Sequence, residues 1–190
     1  MGRKGENMEF LLDPNNVKIA KSLFYETAEN YFPDLLVPDE TGKRWACDFM
    51  DAEMANMIGI AGVCNHEWKK ILISVDRFDL VGNANFIFAE MDFEPGNGSD
   101  GFTEEKTVCL IIHELAHAKG GLNHGPQWQD CMEEVRKKIE EKIKSVESPL
   151  EKKKLKKVHK FVCYDLLINI TNNFLEKQVM ENPSSEVIMA

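Results

Sequence analysis

Four side chains in one short stretch, CLIIHELAHAKGGLNHGPQW (residues 109–128), have types and spacing suited to hydrolysis: His113, Glu114, His117 and His124. On a helix, residues four apart stack on one face, so the imidazoles of His113 and His117 can reach one metal ion. Glu114 projects beside them but is displaced around the helix, which aims it at a metal-bound water and not at the metal. Zinc takes neutral imidazole nitrogen in tetrahedral geometry, and a catalytic zinc keeps one position open for water. Water so placed becomes acidic, with pKa ~7, and a nearby carboxylate can take its proton and later deliver it to a leaving amine.

Two imidazoles leave such a site short of a third protein ligand. His124 is the nearest candidate, because Gly120 and Gly121 let the chain turn after the helix. The metzincin spacing would place the third histidine at 123, where this chain has Asn123. A glutamate from the following helix, Glu133 or Glu134, would serve in the manner of gluzincins. The plainer alternative is a core in which both histidines bond to backbone and Glu114 sits in an ion pair. That alternative is costly, because three titratable groups would be buried on an otherwise apolar helix with no metal to compensate them.

The elements that must position these groups can be read from period and punctuation. Residues 15–31 have apolar side chains at helical spacing, with Pro14 near the start. Residues 43–50, 56–64 and 70–75 read as strands, and the polar NHEWKK between the last two supplies the turn of an antiparallel hairpin. Residues 77–89 fit a short helix or a further strand, and the acidic, glycine-rich 92–101 is a loop. Thr103 caps the helix that carries His113, with Glu104 and Glu105 in its first turn. Helices over about 127–146 and 150–178 follow, separated by Ser148-Pro149.

The totals bound the class. The chain has 190 residues, 43% apolar and 29% charged, which suits one globular domain with a helical addition. No apolar run is long enough to span a membrane, and the first ten residues lack a secretory signal. Five scattered cysteines without a CxxC pair point to reduced thiols in an intracellular setting, cytoplasmic or nuclear. The sequons at Asn97 and Asn169 are then chance matches. The net charge of −9 is uneven: residues 1–135 hold 11 basic and 24 acidic side chains, whereas 136–160 hold 11 basic and 4 acidic. Lys152-Lys160 is therefore a candidate segment for binding the phosphates of a nucleic acid, against the simpler reading of a solvated helix face.

HELAH followed by HGPQW resembles the SprT-like zinc metallopeptidase family (the group that includes Spartan), whose signature is H-E-x-x-H, a loop of variable length, then H-G-P-x-[FW]. The resemblance covers about residues 15–135. It implies one zinc per chain on His113, His117 and His124, with Glu114 as catalytic acid/base. It also implies a small α+β zincin-type domain, an antiparallel or mixed sheet packed on the H-E-x-x-H helix, in which an edge strand holds extended substrate. Spartan-related members cleave proteins crosslinked to DNA. Two departures stand out: the His117–His124 loop is short, and the zinc ribbon of bacterial members is replaced by a lysine-rich helical tail.

These readings combine into a metallopeptidase domain over 15–147 and a helical extension over 148–180, flanked by flexible termini at 1–14 and 181–190. The expected function is a zinc-dependent metalloendopeptidase acting on a protein or peptide substrate. The alternatives are a non-catalytic zinc-stabilised binding protein and a protease acting on nucleic-acid-bound proteins. Trp128 is read as packing beside the site, His66 and His159 as surface residues, and Asp92, Glu94, Asn97 and Asp100 as a solvated loop whose spacing fails the EF-hand pattern.

Overall fold

A computed structural model describes residues 14–50, 62–74 and 104–181. Among them lie four α-helices and three strands, an α+β arrangement in which the helices surround one another and a small mixed sheet covers one side. The expectations for Thr103, for 56–61, for 77–89, for the loop at 92–101 and for residues 1–13 and 182–190 fall outside the described residues, whereas Pro14 and Glu181, expected in the flexible termini, are helical.

Helix α1 (Pro14–Tyr31) buries Ala20, Phe24, Thr27, Ala28 and Tyr31, a single stripe at three- and four-residue spacing. The Lys138 ammonium donates to the Tyr31 carbonyl at 3.0 Å, which satisfies an otherwise free acceptor at the end of α1. A 3-10 turn at Pro33–Leu36 leads on to strand β1 (Ala46–Met50). Strands β2 (Gly62–Asn65) and β3 (Lys70–Ser74) form the expected antiparallel hairpin, with Asn65 Oδ1 accepting from the Trp68 backbone N–H inside the turn. Strand β3 is central, and β1 pairs with its other edge in parallel, Cys47 opposite Ile71 and Phe49 opposite Ile73. Ile71 and Ile73 face the core and are fully buried.

Helix α2 (Glu104–Gly120) is the hub. It touches α1, both later helices, β2 and β3, and it buries side chains on nearly every face, from Thr107 to Ala118. A helix apolar all round needs such a surrounded position. It ends at Gly121, whose φ of +94° is the left-handed region that only glycine adopts without strain, and whose N–H bonds to the His117 carbonyl at 2.9 Å. Gly120 sits against the Trp128 backbone so closely that a Cβ there would overlap it.

Helix α3 (Pro126–Ser145) begins with Pro126 in its first turn and buries Trp128, Cys131, Met132, Val135 and Ile139. Helix α4 (Pro149–Glu181) covers the region read from sequence as an extension. Its middle section does not stand apart: Val158, Phe161, Val162 and Leu166 belong to the same buried cluster as Phe24, Ile112, Leu115 and Met132. Beyond that section Leu167, Ile170, Phe174 and Leu175 are exposed. No helix among the described residues is long and apolar enough to cross a membrane.

Candidate metal centre

Three imidazoles meet at the end of α2. His113 and His117 lie one turn apart on the helix, and the break at Gly121 brings the chain back so that His124 completes the group. The Nε2 atoms are 3.2 Å apart for His113 and His117, 3.2 Å for His117 and His124, and 3.3 Å for His113 and His124. Nitrogens bound to one tetrahedral ion at about 2.0–2.1 Å stand ~3.4 Å from each other, so this near-equilateral triangle matches one face of such a site.

Hydrogen bonds at the far side of two rings fix which nitrogen faces the triangle. His113 Nδ1–H donates to Asp165 Oδ2 at 2.7 Å, and His117 Nδ1–H donates to the Gly121 carbonyl at 2.9 Å. In the neutral rings the Nε2 lone pairs then point at one another. One proton can bridge only one pair of nitrogens at a time, whereas a divalent ion satisfies all three. The donor set suits a first-row ion such as zinc, copper, iron or nickel.

The three histidines are tied to the scaffold from several directions. The His124 carbonyl accepts from Gln129 Nε2 at 2.9 Å and from Asn173 Nδ2 at 2.5 Å. Trp128 is fully buried beneath the group, its ring centroid 5.4 Å from that of His113, 5.7 Å from His117 and 4.6 Å from His124. This is the packing role expected of it. His66 is exposed, as expected, but it is also a tether: Nε2–H donates to the His117 carbonyl at 3.0 Å and the ring stands edge-on to Trp45. His159 is partly buried beside Cys163.

Glu114 is buried beside the triangle, 5% exposed, with its carboxylate against Gly62 of strand β2. Burial raises its pKa to about 7, opposed by the charge of His113. Burial pulls His113 down, but the Asp165 carboxylate outweighs it by charge and hydrogen bond and raises the imidazole to about 9. His117 is held down to about 4 by burial and by the charge of His113. His124 is lowered for the same two reasons.

The alternative third ligands are engaged elsewhere. Glu133 forms a two-pronged pair with Arg136 at 2.7 Å, and Glu134 lies 4.0 Å from Lys119. At the start of α4, Lys154 pairs with Glu104 at 3.0 Å, while Lys153, Lys156 and Lys160 are exposed. Asn169, in one of the two sequons, uses both amide hydrogens within α4, on the Asp165 carbonyl and on Asp165 Oδ1.

Sequence reasoning passed over Asp165 and Asn173. A signal for Asp165 was present: it is an acid set among Phe161, Val162 and Leu166, on the side of the helix that had to be buried. No family model, curated protein or solved structure matches this chain.

Proposed function

We propose that this protein is a zinc-dependent endopeptidase of SprT-like, zincin type. The observation that carries the reading is the Nε2 triangle of His113, His117 and His124 with a buried carboxylate, Glu114, on the residue next to the first ligand. A structural zinc site is usually closed by a fourth protein ligand. Among the described residues the cluster comprises three histidines, the ligand number of a catalytic site that keeps its fourth position for water. Zinc, when bound, supplies Lewis-acid polarisation of the scissile carbonyl and makes water acidic enough to react near neutral pH.

The protein's own groups do the rest. His113, His117 and His124 hold the ion as neutral imidazoles, and Asp165 and the Gly121 carbonyl keep the first two in the tautomer that exposes Nε2. Glu114 accepts the proton of the attacking water on a carboxylate oxygen and delivers it to the departing amine nitrogen. A groove of about 710 Å³ adjoins His124, and its lining mixes Leu122, Ile170, Phe174 and Met180 with Asn123, Gln129, Glu176 and Lys177, which suits a polypeptide segment of mixed polarity.

The test is Glu114→Gln, which keeps size and removes the base. Zinc content should stay at the wild-type level, while cleavage of an unfolded protein or of the chain itself falls by at least ~100-fold. Equal cleavage by wild type and variant would refute the assignment. Loss of zinc in the variant would instead make Glu114 a ligand or a structural prop.

A further inference from the structure

Helix α4 carries Asp165, Asn169 and Asn173, spaced four apart and therefore on one side of the helix. Each makes a specific contact. Asp165 Oδ2 accepts from His113 Nδ1–H at 2.7 Å. Asn169 Nδ2 donates to the other oxygen of Asp165 at 2.8 Å and to the Asp165 carbonyl at 2.9 Å. Asn173 Nδ2 donates to the backbone carbonyl of His124 at 2.5 Å. The stripe thus touches two of the three members of the imidazole triangle, one through its ring and one through its backbone. The third, His117, is held by Gly121 and not by α4.

We infer that Asp165, Asn169 and Asn173 form a positioning ladder by which helix α4 sets the distance and orientation of His113 relative to His124, and so sets the affinity of the metal centre. The inference rests on the three histidines being a metal site; it does not depend on the reaction catalysed there. His113 is fixed to α2 by the chain, but its ring can turn about χ1 and χ2. A charged acceptor on Nδ1–H fixes that rotation and raises the basicity of Nε2. Asp165 is itself 7% exposed, so its free oxygen needs a donor, and Asn169 supplies one. His124 lies between two helices, where the chain has no ladder of its own. Two amide donors, Gln129 from α3 and Asn173 from α4, converge on its one carbonyl. None of the three α4 residues reaches the triangle centre, so they act through the ligands.

The experiment is zinc affinity, measured on the full chain by competition with a chromophoric chelator, together with the visible absorption of the cobalt-substituted protein. Asp165→Asn keeps an acceptor but removes the charge, and should weaken zinc by about 10–100-fold and shift the cobalt bands. Asn173→Ala should weaken it less, by about 10-fold or under, because one neutral hydrogen bond is lost and Gln129 remains. Asp165→Glu should recover part of the loss.

The decisive comparison is made in a His113→Ala background. There Asp165→Asn should weaken the residual zinc affinity far less than in the wild-type background, because its hydrogen-bonded route through His113 is gone and only the longer-range effect of its charge remains. An equal loss in both backgrounds would show a general structural effect and overturn the ladder. Wild-type affinity in both Asp165→Asn and Asn173→Ala would overturn it while leaving the metal site intact. Failure of the wild-type chain to bind zinc would overturn both. If Asp165→Asn does not fold, Asp165→Glu carries the same comparison, and Asn173→Ala is compared in a His124→Ala background, where its route through that ring is gone.

Discussion

The carboxylate of Glu114 lies against the backbone of Gly62, in space that any side chain at 62 would fill: a Cβ there would stand 2.8 Å from Glu114 Cδ and 2.9 Å from Cγ. Real Cβ atoms do not approach so closely, so a substitution must move the carboxylate. Gly62→Ala should leave zinc binding near wild type, because the three atoms nearest that position belong to Glu114 and not to an imidazole. Cleavage should fall by ~100-fold, the scale expected when a catalytic group is misplaced by about 1 Å. Undiminished cleavage by a folded Gly62→Ala would mean that the position of Glu114 is not critical.

Metal removal should destabilise the fold, since the triangle forms only when α2 and the turn after it are in place. At free zinc 100-fold above Kd, binding adds ~2.7 kcal/mol to stability. For a chain of this size that corresponds to about 5–10 °C in Tm. Calorimetry with and without chelator checks it. His117→Ala should melt at the same temperature in both conditions.

Gly121 has two duties: its φ of +94° ends α2, and its carbonyl holds the His117 ring. Gly121→Ala should therefore cost about 1–3 kcal/mol in backbone strain and weaken zinc binding as well. Urea unfolding of the metal-free protein isolates the first effect, and chelator competition the second. A variant as stable as wild type would show that the turn relaxes without cost.

Tyr31 yields a pH prediction that does not involve the histidine triangle. Burial, and secondarily the charge of Glu26, raises its pKa from the ordinary 10.0 to about 12. The neutral phenol is the favoured form in the folded state, so its contribution is whole below pH ~10 and is lost as pH rises towards about 12, where the folded phenol also ionises. Alkaline unfolding should accordingly begin above pH ~10 and be accompanied by tyrosinate absorbance. Tyr31→Phe should shift that unfolding to higher pH, and an unchanged midpoint would count against the assignment.

The sequence by itself determined the parts of this protein that are local. His113 and His117 share a helix face because they are four apart, the glycines at 120 and 121 end that helix, and a polar run of turn residues folds β2 onto β3. Such features depend on backbone period and on φ, which neighbouring residues control. Spacing alone left the third member of the cluster open between His124 and a glutamate of the next helix. Packing decided it, by committing Glu133 to Arg136 and returning His124 to the other two rings. The parallel pairing of β1 with β3 and the fit of Glu114 against Gly62 were likewise illegible, since each joins segments separated in the chain. So were the contacts of α4 with the histidine triangle. Asp165 meets His113 across 52 positions and Asn173 meets His124 across 49, and no periodicity encodes a contact made only when the last helix closes over the core.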